Sequence, residues 1–180
     1  IHDGIYNQAH QRAKDGTYDF DYAYQYVEQL IKPADIAVLN QETPIANDLF
    51  PPSNYKMFNS PTQLGDKMID MGFNVVSHCN NHILDKGEKG MLATLDYWKS
   101  RNILCYGAYR NQADVDDIRI KEVNGIKFSF VGFMEHTNGL KLPENSESKL
   151  VYTSQVDEME RLIKKARSMS DVVVVSVHWG

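Results

Sequence analysis

Four short clusters hold most of the side chains able to do chemistry: Asn40-Gln41-Glu42-Thr43, His78-Cys79-Asn80-Asn81-His82 with Asp85 just beyond, Glu135-His136, and His178. Carboxylate, carboxamide oxygen and imidazole together make a borderline-hard ligand set. It suits Mn, Fe, Zn or Mg better than a metal that prefers thiolate. The spacing is not that of a zinc finger, and there is no Cys-x-x-Cys pair. Each cluster also has a purely structural explanation. A Glu after a strand is commonly a cap or a solvated charge. Asn80-Asn81 suits a turn, because Asn tolerates left-handed backbone. Asp85 reads as the residue that fixes its loop, and Gly87 as the opening of the next helix. An imidazole at position 178 needs a partner if buried, and a backbone carbonyl would serve. Cys79 and Cys105 read as small buried residues. A Ser-His-Asp hydrolase is disfavoured, since no Gly-x-Ser-x-Gly elbow is present.

The elements that must position these clusters alternate between helix and strand. Phe20, Ala23, Tyr24, Val27, Leu30 and Ile31 recur at helical spacing, and Pro33 ends that segment. Asp35–Asn40 reads as a buried strand, followed by a long loop from Gln41 to Phe58 with Pro44, Pro51 and Pro52. Loops of this length are uncommon unless functional. Ser60-Pro61 reads as an N-cap with proline at the first helical position; Leu64, Met68 and Met71 continue the helix and Gly72 closes it. Phe73–Ser77 and Ile103–Tyr106 are short strands flanking a helix marked by Leu92, Leu95 and Trp98. Ile118–Val123 and Ile126–Gly132 form a hairpin about Asn124-Gly125. Val156, Met159, Leu162, Ile163 and Ala166 line one face of a helix, and the valine run Val172–Val175 then reads as a strand buried on both faces. Tyr18, Phe20, Tyr22, Tyr24 and Tyr26 read as packing and rim, and His2 and His10 as surface. The pattern predicts an α/β fold with a mostly parallel, partly mixed sheet. Ligands of open α/β sheets bind beyond the carboxyl ends of the strands. Each polar cluster directly follows a strand, so all four are expected at one end.

Composition sets the outer limits. At 180 residues, 42% apolar and 24% charged, the chain is neither disordered nor low in complexity, and one domain is the prior. A net charge of −5 argues against a nucleic-acid surface, which needs clustered Lys and Arg. Apolar runs such as Val172–Val175 fall far short of the ~18 residues of a membrane span. The sequence starts without Met and stops soon after its valine strand, where a domain end is unusual. The expectation is therefore part of a domain.

Several motifs, in order, resemble one family. These are Asn40-Gln41-Glu42-Thr43, Gly72-Phe73-Asn74-Val75-Val76-Ser77, Asn80-Asn81-His82-Ile83-Leu84-Asp85-Lys86-Gly87 and Val175-Ser176-Val177-His178-Trp179-Gly180. The Gly107 turn and the Val123-Asn124-Gly125-Ile126-Lys127 hairpin agree. The chain resembles the bacterial CapA/PgsA capsule-synthesis proteins of poly-γ-glutamate biosynthesis, relatives of calcineurin-like metallophosphoesterases. The resemblance implies a four-layer α/β/β/α sandwich, with residues 1–180 forming a single partial domain truncated at both ends. It would lack the first strand's Gly-Asp motif and the C-terminal Gly-His-His-Pro-His segment; Asp3 lies in a different context and does not replace the missing Asp.

The resemblance also implies roles. Asn81 would bind metal through its side-chain oxygen, His178 would be a ligand, and Glu42 would stand where a bridging carboxylate is expected. His82 would be catalytic, contacting the substrate oxyanion or protonating the leaving group. Asn40, Thr43, Asn80, Asp85, Glu135 and His136 would support the site or the substrate. The cofactors would be divalent ions (Mn, Fe, Zn or Mg), two in the complete domain, which activate bound water. The implied activity is a metal-dependent hydrolase working on an anionic polymer or phosphoester; the alternative is a non-catalytic polymer-binding or export component. Glu42→Ala and His178→Ala separate the two, since only an enzyme would lose function with them. The partners would be other capsule synthesis and export proteins at the membrane, not nucleic acid. The place of work would be extracytoplasmic, with the anchor outside this chain. A net charge of −5 repels polyanions at long range, which local lysines and the metal would have to offset. With part of the ligand shell missing, the 180-residue segment alone is expected to bind metal weakly and to be inactive.

Overall fold

The strand-forming runs build two small sheets rather than one. In the computed structural model, which describes residues 2–179, the first sheet holds β1 (Val38–Asn40), β2 (Val75–Ser77) and β3 (Leu104–Tyr106). All three are parallel, in the order β1-β2-β3, with Leu39 opposite Val76 and Val76 opposite Cys105. The second sheet holds β4 (Arg119–Val123), β5 (Ile126–Met134) and β6 (Val172–His178). β4 and β5 are antiparallel about Asn124-Gly125, whose φ values of 54° and 80° form the tight turn that matches strand twist. β6 then runs parallel to β5, from Phe128 opposite Val172 to Met134 opposite His178. The predicted α/β class with mixed strand directions is observed, divided between two three-stranded sheets.

The helices are α1 (Asp3–Ala13), α2 (Asp21–Tyr24), α3 (Glu28–Ile31), α4 (Thr62–Asp70), α5 (Gly87–Ser100), α6 (Gln112–Asp116) and α7 (Val156–Met169). Leu64 and Met68 of α4, Met71 at its C-terminal end and Trp98 of α5 pack with Val76 of the first sheet, and Ala9 and Phe20 join them. On the second sheet, Leu162 and Ala166 of α7 pack with Val131 and Phe133. Burying a leucine such as Leu162 completely contributes about 2 kcal/mol. The sheets meet each other through Val75, Tyr106 and Phe130, with Leu104, Phe128 and Val174 alongside. The Tyr106 and Phe130 rings lie 5.7 Å apart, and Tyr106 Oη hydrogen-bonds Ser176 Oγ at 2.7 Å.

Four local expectations need correction. The 20–31 segment is two short helices, because Val27 and Leu30 bond back three residues, to Tyr24 and Val27, and so tighten the chain between them. Tyr26 and Leu30 face outward. Ser60 does not cap α4: its hydroxyl pairs with Thr43 Oγ1 at 2.6 Å, Pro61 occupies the cap position, and Asn47 Oδ1 accepts the Thr62 N–H from fifteen residues upstream. The valine strand is not buried on both faces. It is an outer strand of its sheet among the described residues, which leaves Val172, Val175 and Val177 exposed. β1 is likewise an outer strand, shorter than the predicted Asp35–Asn40, with Val38 exposed.

Candidate functional site

The loops that leave β1 and β2 are fastened together before they present any chemistry. Gln41 N donates to Ser77 O, the last residue of β2. The buried Gln41 side chain donates to Thr43 O at 2.8 Å and to Thr43 Oγ1 at 3.1 Å. Thr43 is thus turned inward as a loop anchor, while Glu42, between two buried residues, faces out. Asn80 is fully buried and acts as a staple. Its Nδ2 donates to Gln41 O at 3.0 Å and to Asn40 Oδ1 at 3.3 Å, and its Oδ1 accepts the His82 N–H.

With Asn80 held inside, its neighbour Asn81 points toward the second sheet. Asn81 Oδ1 lies 3.0 Å from Nε2 of His178, the last residue of β6. His178 Nε2 is in turn 3.9 Å from Glu42 Oε1. Side chains from the ends of three strands therefore converge, and they are the three predicted metal ligands. Beside them, His82 Nδ1 is 2.9 Å from Asp85 Oδ2, and the same carboxylate oxygen accepts the Phe58 N–H at 2.8 Å. The His82 ring sits edge-on to Phe58 at 4.9 Å. Burial pushes the Asp85 pKa up, and the Phe58 and His82 hydrogen bonds oppose that shift. Asp85 does fix its loop, and Gly87 does open α5, as predicted.

The β5 end is looser. Glu135 N donates to His178 O, so the two strand ends are joined through backbone, and the Glu135 side chain is exposed. His136 is exposed, and its Nδ1 accepts the Asn138 N–H; the ring is engaged with its own loop.

The profile of the family described as "Bacterial capsule synthesis protein PGA_cap" matches residues 1–180. The chain belongs to this family. It is 28% identical over 167 residues to a protein named "PGA biosynthesis protein CapA" from Bacillus subtilis (strain 168), covering 89% of this chain and 43% of that protein. It is 29% identical over 174 residues to "Capsule biosynthesis protein CapA" of Bacillus anthracis, covering 91% of this chain and 41% of that one. The PGA_cap chain thus spans roughly two fifths of the length of these curated relatives. Among its described residues, no helix is long and apolar enough to cross a membrane.

In this PGA_cap domain, no three His, Cys, Asp or Glu side chains converge among the described residues. A triad exists only when the Asn81 amide oxygen is counted. Its donor separations of 3.0 and 3.9 Å are the size of ligand–ligand edges in a shell with bonds of about 2.0–2.2 Å. Two oxygens and one imidazole nitrogen fit part of the shell of a divalent ion. His78 is different, although it belongs to the same sequence cluster. It is completely buried beside Trp98, and neither ring nitrogen has a hydrogen-bond partner of good geometry. Burial pushes its pKa down to about 4, only partly offset by the Gln41 backbone.

Sequence reasoning named Gln41 within its cluster and read Ser60 as a cap without giving either a place at the site, and it missed Asn138. Asn138 carried a usable signal, since an Asn-Gly pair after a strand marks a turn, here with φ of 51° and 78°.

Proposed function

We propose that this domain carries a metal-dependent phosphoesterase-like site of the capsule machinery, set at the carboxyl ends of its strands. The observation that carries the proposal is the convergence of Glu42, Asn81 and His178 from three strand ends. Two sheets that pack on each other, with α4 and α5 on one and α7 on the other, support a calcineurin-like sandwich. Glu42, Asn81 and His178 would hold a divalent ion (Mn, Fe, Zn or Mg), which when bound polarises a phosphoryl-type oxygen and lowers the pKa of water. Asp85 holds Nδ1 of His82, which leaves Nε2 to meet the substrate oxyanion or the leaving oxygen as a proton donor. Asn80 and Gln41 keep the two loops in register, and Thr43 anchors the first.

A neighbouring cleft of about 530 Å³ offers room for an anionic polymer or phosphoester. It is lined by His136, Lys141, Leu142, Lys149 and Tyr152, among others, and its lysines supply local positive charge on a chain of net charge −5. The proposal extends to the setting: the full-length protein works outside the cytoplasm, anchored at the membrane with other capsule synthesis and export proteins. The names of the two relatives support capsule biosynthesis as the process.

The test uses full-length protein. Metal content is measured after purification, and hydrolysis of p-nitrophenyl phosphate is followed with added Mn²⁺. Glu42→Ala and His178→Ala should lose turnover while keeping the wild-type circular dichroism spectrum. Turnover unchanged in both variants, or full activity in chelator, overturns the proposal.

A further inference from the structure

Asn81 faces a problem that a carboxylate would not. Its amide has one end that accepts hydrogen bonds and one that donates, and only the oxygen can pair with an imidazole N–H or a cation. Something must decide which end meets His178. Asn81 Nδ2 donates to Asn138 Oδ1 at 3.2 Å, while Asn81 Oδ1 lies 3.0 Å from His178 Nε2. We propose that Asn138 is a positioning residue, which sets the amide orientation of Asn81 and so turns its oxygen toward His178. The inference rests on the metal-site reading above.

The orientation is held by the first residues of the β5–α7 loop. Asn138 sits at φ 51°, a left-handed conformation that Asn adopts more readily than most residues, and Gly139 follows at φ 78°. Its backbone N–H donates to His136 Nδ1, and Thr137 Oγ1 donates to Leu140 O at 2.6 Å, which closes the turn. The loop is anchored to the site through the Glu135 N–H on His178 O. The segment that carries Asn138 is therefore tied to the strand that carries His178. Outer partners that orient a ligand typically change metal affinity by about 10–100-fold when removed.

The experiment is a double-mutant cycle read by calorimetric Mn²⁺ titration of the full-length protein, with the Asn81 side-chain amide followed by ¹⁵N-asparagine NMR in the metal-free state. Asn138→Gly keeps the positive φ while deleting the acceptor. It should weaken Mn²⁺ binding about tenfold and remove the contact between the Asn81 amide protons and residue 138. In an Asn81→Asp background the carboxylate has two equivalent oxygens and needs no orientation, so Asn138→Gly should change affinity less than about twofold. Equal losses in both backgrounds would mean a general loop defect and overturn the proposal, as would an unchanged affinity in the Asn81 background. If the wild type binds no Mn²⁺, the metal-site reading fails, and the NMR measurement still decides the orientation: a wild-type Asn81 amide without contact to Asn138 overturns it.

Discussion

Acid should destabilise this fold through one interior histidine. His78 is fully buried, has no hydrogen-bond partner of good geometry for either ring nitrogen, and has a pKa pushed down to about 4. In the unfolded chain an imidazole titrates near 6.5. Below that pH the unfolded chain takes up a proton that the folded chain refuses until the pH approaches 4. The unfolded state binds more protons over this window, so stability must fall as pH falls. The contribution is complete above about pH 7, drops by about 2 kcal/mol at pH 5 and by about 3 kcal/mol at pH 4. Carboxylates titrate over part of the same range, so the effect has to be isolated by difference. His78→Phe keeps a flat ring and removes two polar atoms that lack a partner of good geometry, so at pH 7 it should change stability by less than about 1 kcal/mol. Urea unfolding at pH 7, 6 and 5 then measures both proteins. The gap between them should move by about 2 kcal/mol in favour of the variant between pH 7 and pH 5. Parallel loss of stability in the two proteins would refute the reasoning and mean that the buried ring is protonated, or already paired, in the folded state.

Two further perturbations test the scaffold. Gly107 has φ +94°, and a Cβ placed there would lie 2.5 Å from Cys79 N. Gly107→Ala should therefore cost about 3 kcal/mol or more in chemical denaturation, and a cost under about 1 kcal/mol would show that the β2 loop yields. Asn59 is fully buried; its Oδ1 accepts the Ala46 N–H, and its Nδ2 donates to Phe50 O and Pro51 O. Asn59→Ala should cost about 2–4 kcal/mol and speed proteolysis in the proline-rich 44–58 loop, both measured against wild type at pH 7.

The parts of this fold that were legible in the sequence are those whose cause is local. Asn124-Gly125 demands positive φ at two successive residues, which almost by itself specifies a hairpin. Leu162 and Ala166 repeat at helical spacing, and both are fully buried. Gly87 opens α5 at its own position, and Asp85 pairs with His82 three residues before it. The rest depends on partners far along the chain. Asn47 satisfies the α4 N-terminus from fifteen positions away, so the nearer Ser60 is free to bond Thr43. The valine run resembles a central strand, yet exposure depends on whether a neighbour pairs with it, and only β5 does among the described residues. The three candidate ligands came from the family resemblance, since residue type alone left each of them a structural explanation. Asn138 could not be assigned a role, because its meaning comes from an amide 57 positions earlier.

The pairing of Asn81 with His178 joins positions 97 apart, one on the loop that follows β2 in the first sheet and the other at the end of β6 in the second. During synthesis the first sheet leaves the ribosome long before residue 178 exists, so the junction forms only at the end of translation of this segment. A ligand that gripped both sides would therefore find its complete site only once this whole segment has been made. Bound there, it would act as a clasp: by mass action it would oppose any opening that parts the sheets. Amide exchange at the ends of β2 and β6 should slow together when the clasp closes, while the remote Asn124-Gly125 turn exchanges as before.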